Sequence, residues 1–537
     1  MTQVSESTKK LALEFQKGEK SSLPKEGSAT IHVDEVAARV AAFYEKIRGI
    51  VDWKEEHLLR RNAIERMLKR RFLGGADLIK EPIAEALILE LIRGGHYPND
   101  TIVEDKIAKV QKIVDKYIFI LKNTPRAEDG NEALRFHNWL LSLSACEIEE
   151  ELSASYKERA LIDYMFSLMK ERIVVNQGAM ALRPLKEAEV HIQIYVAVQR
   201  ALFKLDSPMI SYQLLKYKYP DWKNIQDSEL LEASKNMLSI RKRIDKQLDH
   251  PLADRFYQIC ERYDTPYLLL GDIMSAEPQR AEEIVANPPA LEGLIKNAYI
   301  KRVATLKDRL GRAAVYATLS IFITKITLAL AIEIPVDKYI THEFNVLSIL
   351  LNIVVPPLLM FLLVSTIRVP GKGNMDKAIL ETMKNVYETE KKDAYELKTF
   401  KNKRGTIFKG FVSLIYLATF AVSLGAIVLF LDYLNFSVLS SIIFILFVSL
   451  IAFTGTRIRQ RSRELEVTEE KEGIFSMIID LFALPLVEVG KWLTQKWQKY
   501  NFISTIFNVL VDIPFMVLVE FIEQWRYFLK EKKEKIH

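Results

Sequence analysis

Residues 313–332 read AAVYATLSIFITKITLALAI, and a single charge, Lys325, interrupts the apolar run. A helix of this length, rising about 1.5 Å per residue, covers the roughly 30 Å of hydrocarbon in a bilayer. Three more such stretches follow. Residues 345–367 carry no charge but place Pro356 and Pro357 at their centre, where each ring removes a helix hydrogen bond and a kink is expected. Residues 411–431 and 436–453 are also uncharged, and only Asp432, Tyr433, Leu434 and Asn435 separate them, as in a tight hairpin.

The flanks set an orientation, because cytoplasmic flanks of spans carry an excess of Lys and Arg. Lys301, Arg302, Lys307, Arg309 and Arg312 precede the first span. Arg368, Lys372, Lys377, Lys384, Lys401, Lys403, Arg404 and Lys409 lie between the second and third, and Arg457, Arg459, Arg461 and Arg463 follow the fourth. The link after span one offers only Lys338, and the link after span three has no cation. Both termini are therefore expected inside, at the plasma membrane. The first 300 residues show no apolar core of a cleavable signal, so span one is expected to direct insertion.

Composition alone conceals this division. The chain has 537 residues, 49% hydrophobic and 27% charged, with net charge +6, and its long apolar runs all follow residue 312. Two cysteines exclude a disulfide framework and a Cys-only zinc site, and fit a reducing compartment. Residues 1–30 mix Ser, Lys, Glu and Gly and are read as a disordered polar tail. Residues 31–312 read as helix after helix, subdivided near 180–220, with Asp34 as a cap, Gly74-Gly75 and Gly94-Gly95 as stops, and Pro184 and Pro251 at helix starts. The expected plan continues with transmembrane hairpins at 313–367 and 411–453, a helical cytoplasmic loop at 368–410 and a charged linker at 454–473.

Residues 474–537 hold two apolar segments, 474–489 and 502–522, related by a weak repeat at an offset of about 32 residues. Each carries an acid, Asp480 or Asp512, and the lysines between them (Lys491, Lys496, Lys499) argue against two crossings. Interfacial or re-entrant amphipathic helices are expected, with Trp492, Trp497, Tyr500 and Trp525 at headgroup depth. The expected fold class is thus all-α: a polytopic helical membrane protein of four spans, with a large helical N-terminal cytoplasmic domain.

Chemistry is less legible. The eight histidines form no HExxH or similar pair, no GxSxG elbow occurs, and Gly371-Lys372-Gly373 lacks the spacing and setting of a phosphate loop. No catalytic residue, metal site or cofactor is expected. The acidic run Glu147 to Glu151 and the stretch Asp227 to Glu232 are read as solvated helix faces. Arg60, Arg61, Lys69, Arg70 and Arg71 make the most basic stretch, a candidate contact for anionic lipid, with nucleic acid disfavoured. Within the spans Lys325 is the residue to question, and Asp480 or Asp512 are its expected partners if the C-terminal segments re-enter.

The expected partners are the bilayer, a protein bound by the cytoplasmic domain and a second copy of the chain, since four spans alone make a narrow bundle. The leading functional expectation is a membrane-anchored cytoplasmic scaffold or interaction module. The alternative is a small-ion or proton-coupled channel or transporter using Lys325 and the kinked second span. A membrane enzyme with its site in the N-terminal domain is a third.

Overall fold

A computed structural model describes residues 3–22, 29–33, 56–72, 82–125, 129–153, 156–176, 186–342, 345–367, 369–387, 393–398, 406–467 and 474–499, with 521, 524, 525, 528, 529 and 532. Asp34, Gly74, Gly75, Pro184, Asp512 and most of the 502–522 segment lie outside the described residues. The chain divides into two units: residues 1–295, 381–400 and 510–537 form one, and residues 296–380 and 401–509 the other.

The first unit is built of helices whose apolar stripes meet in a common core. In helix Glu56–Arg71, Ile64, Met67 and Leu68 are buried at spacings of three and four, the pattern of one helix face. Helix Ala84–Arg93 buries Leu87, Ile88, Leu91 and Ile92, and the large side chains of Trp222, Tyr212, Phe256 and Tyr267 are fully enclosed within the unit. Gly95, at φ 75°, ends that helix: its N–H bonds the Ile92 carbonyl and the His96 N–H bonds the Leu91 carbonyl. That is the paired closure a left-handed glycine allows.

Two sequence expectations fail here. Residues 6–22 form a helix rather than a disordered tail, because Thr8, Leu11, Ala12 and Phe15 make a compact buried stripe among the polar residues. Among the described residues of the loop at 368–410, expected to be helical, the loop's own helix spans Lys372–Tyr387. Beyond it Tyr395–Lys398 (β2) pairs in parallel with Ile173–Asn176 (β1), the one departure from all-α structure among named elements. Helix Lys372–Tyr387 buries Ala378, Thr382, Asn385 and Val386, and polar partners meet that face. Arg172 Nη1 donates to Asn385 Oδ1 at 2.8 Å, Tyr164 Oη donates to the Asn385 carbonyl at 3.0 Å, and the Ser5 N–H donates to the Val386 carbonyl at 2.9 Å.

Four helices are long and apolar enough to cross a bilayer: 288–339, which belongs to the second unit from residue 296 on, and Val346–Ser365, 410–433 and Val438–Ser462, which lie wholly in it. The first is wound as α-helix over Pro288–Leu328, as a π turn over Ala329–Glu333, and as α-helix again over Ile334–Tyr339. Val346–Ser365 runs through both Pro356 and Pro357. Asn345 caps its start, accepting from the N–H groups of Leu347 and Ser348. Between the last two helices Asn435 adopts a left-handed conformation, φ 55°, which a short polar side chain tolerates, and Ser437 caps Val438–Ser462.

The outer surface of this bundle is apolar, and its interior holds polar side chains beside apolar clusters such as Ile321, Met360, Ile451 and Ile458. Leu414, Leu417, Leu429, Val438 and Phe361 are exposed, while Lys325, Glu333, Asp337, Asn352, Ser440 and Ser449 are buried. Helix Ile474–Lys499 packs on the bundle at the level of its helix interiors. Ser423 Oγ donates to the Phe482 carbonyl at 3.0 Å, and Gly490 lies so close to Ser449 that an added Cβ would stand 2.1 Å from that residue's carbonyl oxygen.

Candidate functional site

The candidate site is the buried polar centre of the second unit. Lys325 and Glu333 are fully enclosed, and Lys325 Nζ donates to Glu333 Oε1 at 2.6 Å. Eight residues along a regular α-helix leave two side chains about 80° apart. The π turn that follows Leu328 winds more slowly and carries Glu333 round toward Lys325. Pro335 lies just beyond it and lacks the N–H that would bond the Ala331 carbonyl, which is where a helix can widen.

The second apolar helix supplies the next link. Asn352 Nδ2 donates to Glu333 Oε2 at 2.6 Å and approaches the Ser440 carbonyl at 3.4 Å. Asn352 also stands four residues before Pro356, so the proline ring takes away the helical donor of its carbonyl. Ser440 Oγ then donates to Asp337 Oδ2 at 3.1 Å, and Ser348 Oγ donates to the carbonyls of Leu434 and Asn435 at 3.0 and 2.9 Å. The Lys325 ammonium lies 5.0 Å from the centre of the Phe447 ring, which offers its negative face to the cation.

Counted as ionised groups, the centre holds two carboxylates and one ammonium. Among the described residues Asp337 Oδ1 and Asn352 Oδ1 are buried without a hydrogen-bond partner, as are the hydroxyls of Ser449 and Thr318 on the same helices. A buried acceptor without a donor costs about 1–3 kcal/mol. Asp337 Oδ1 and Asn352 Oδ1 are thus buried acceptors for which the described residues supply no donor.

Of the residues singled out in the sequence, Lys325 belongs to this centre, and Pro356 and Pro357 are buried in the helix that bears Asn352. Lys325 pairs with Glu333 rather than with the expected Asp480 or Asp512. Asp480 lies on helix Ile474–Lys499, and its side chain, like all of Asp512, lies outside the described residues. Glu333, Asp337, Asn352 and Ser440 were not singled out. Hydropathy ended the first span at Ile332, one residue short of Glu333, and Asp337 then read as part of an exposed link. A usable signal was Pro335 beside two acids directly after an apolar run.

The basic stretch is engaged within the first unit. Arg60 pairs with Glu56 at 2.8 Å and Glu149 at 3.0 Å, and the buried Arg61 with Glu65 and Asp206. Lys69 pairs with Glu65 at 2.6 Å, Arg70 with Glu90, and Arg71 with Glu90 at 2.9 Å.

The acidic run is a correction. Glu147 and Glu149 are buried, not solvated. Glu147 accepts from Lys116 at 2.5 Å, and from Tyr117 Oη and Trp222 Nε1 at 3.0 Å each. Glu150 accepts from Lys216 at 2.8 Å and Glu151 from Lys106 at 2.6 Å. The run alternates its acids over several faces of helix Gly130–Leu152, and cations from neighbouring elements meet those faces. Asp227, Glu229 and Glu232, by contrast, are exposed.

No protein-family model, curated protein or solved structure matches this chain.

Proposed function

We propose that the chain is an integral membrane protein that binds and passes a proton or a small monovalent cation through the polar centre of its four-helix bundle. The observation that carries the reading is the fully enclosed Lys325–Glu333 pair, continued through Asn352 and Ser440 to Asp337, inside helices whose outward faces are apolar. A charge at bilayer depth costs at least about 2.5 kcal/mol on insertion scales, and such groups mark ion and proton pathways. The distribution of Lys and Arg on the flanks supports both termini on the cytoplasmic side of the plasma membrane. In that orientation Asp337 and Ser440 belong to the outer half, and Lys325, beside Phe447, to mid-depth. Glu333 and Asp337 are the exchanging groups, Lys325 holds the balance of charge, and Asn352 links the helices.

The purified full chain, reconstituted in liposomes with a pH-sensitive dye inside, tests this under an imposed potential with and without a sodium gradient. Wild type should carry proton or sodium current. Asp337→Asn should abolish it while melting within a few degrees of wild type. Lys325→Met alone leaves a buried carboxylate unpaired and should lose about 3–5 kcal/mol. Lys325→Met combined with Glu333→Leu should recover the fold but not the flux. Undiminished flux in Asp337→Asn and in the double variant, or no flux of either ion in wild type, contradicts the proposal.

A second reading is a membrane-anchored interaction module. Its support is the first unit's single core, which takes in the N-terminal helix and the 381–400 segment between the second and third apolar helices. A wild-type protein without flux, whose Asp337→Asn variant retains the same cross-linked partners, would favour it.

A further inference from the structure

A cavity of about 710 Å³ opens in the second unit where the apolar parts of two candidate spans end. One part of its wall is apolar, with Leu363, Ala452, Ala483 and Val487. The other is polar and cationic, with Thr366, Thr456, Arg459 and Arg463, and its one carboxylate among the described residues is Glu466, 3.8 Å from the Arg463 guanidinium. The cavity wall is therefore amphipathic along the helix axes. Ser365 ends the second apolar helix beside Thr366, and the cation-rich end of Val438–Ser462 begins after Phe453. Gly371, also in the wall, immediately precedes helix Lys372–Tyr387, whose positive dipole end adds to the same field.

We infer that this cavity holds an anionic phospholipid of the inner leaflet, its phosphate between Arg459 and Arg463 and its upper acyl chain against Leu363, Ala452 and Val487. Guanidinium groups pair with phosphate oxygens through two parallel N–H donors, and cationic pockets between membrane helices on the cytoplasmic side take such headgroups. The wall supplies both halves of the ligand's chemistry, which a soluble phosphate would not use and a neutral lipid would satisfy only in part. The inference rests on the bundle lying in a bilayer with Arg459 and Arg463 inside, and it is independent of ion passage.

The test is native mass spectrometry and melting of the full chain in detergent. The additions are dioleoyl phosphatidylglycerol, dioleoyl phosphatidylcholine, and glycerol 3-phosphate as the soluble headgroup. Phosphatidylglycerol should be retained in preference to phosphatidylcholine and should raise the melting temperature. In Arg459→Gln/Arg463→Gln, both at exposed positions, that preference should fall roughly thirtyfold, at about 1 kcal/mol per basic residue, with phosphatidylcholine retention unchanged. Equal retention of the two lipids, or a preference that survives in the variant, overturns the inference. So does displacement of lipid by glycerol 3-phosphate, which would make this a soluble-phosphate site. Retention of neither lipid would instead count against the bilayer reading itself.

Discussion

Glu149 holds its proton far longer than an exposed glutamate. Burial dominates and pushes it up to about 7, against the downward pull of Arg60, with Glu158 and Glu56 adding to the rise. The folded state therefore binds a proton more tightly than the unfolded chain between pH 4.5 and 7. The contribution is fully present below the unfolded value and is lost as pH rises through about 7. Lys216 acts oppositely: burial, then Arg159 and Lys223, push it down to about 6, so its contribution is present at high pH and is lost as pH falls toward 6. Comparing Glu149→Gln with wild type isolates the first effect. Between pH 5 and 8 wild type should lose stability relative to the variant, on the order of 3 kcal/mol, in denaturant or thermal melts of the detergent-solubilised chain. Parallel curves would contradict it. At this scale the sequence was legible where a residue type is conspicuous in its setting, as with Lys325 in an apolar run. It was illegible where partners come from afar: nothing local shows that Glu147 meets Trp222, or that Asn352 meets Glu333.

Among the elements, the long apolar helices could be read off directly, because an uncharged run of such length has few other uses. Their ends were harder. The first continues through a π turn to Tyr339, past the hydropathy boundary, and that extension contains both acids of the polar centre. The N-terminal helix was misread for a different reason. Its average polarity hides the short stripe of Thr8, Leu11, Ala12 and Phe15, which periodicity detects and composition does not. Helix Ile474–Lys499 owes its depth to Gly490, where close approach to the Ser449 carbonyl leaves no space for a Cβ. Its acid Glu488 meets Tyr416 at 2.5 Å. Gly490→Val should force the two helices apart and cost about 1–3 kcal/mol, read as a lowered melting temperature in detergent, whereas Gly425→Ala, in open space on the third apolar helix, should cost far less. Equal melting of the two variants would show that the contact bears no load.

For the whole molecule, composition near the average of soluble proteins concealed two units of opposite design. In one, apolar side chains are gathered inside; in the other, they also cover the outer surface, and a polar centre is enclosed. The four apolar helices could have been the buried core of a soluble protein, yet no more than 33% of any apolar window is buried. That outward apolar surface is what a bilayer would cover. Which end of each helix faces the cytoplasm rests on the flanking cations alone, and the polar centre's direction of access depends on it. The decisive measurement labels single cysteines with a membrane-impermeant maleimide in intact and in permeabilised cells. The exposed sites are Tyr339→Cys, Tyr433→Cys and Tyr217→Cys, in a chain whose buried Cys146 and Cys260 are replaced by alanine. Labelling of positions 339 and 433 in intact cells, and of 217 only after permeabilisation, is the predicted result. Labelling of 217 in intact cells, or of 339 and 433 only after permeabilisation, would contradict the four-span account with its cytoplasmic helical unit.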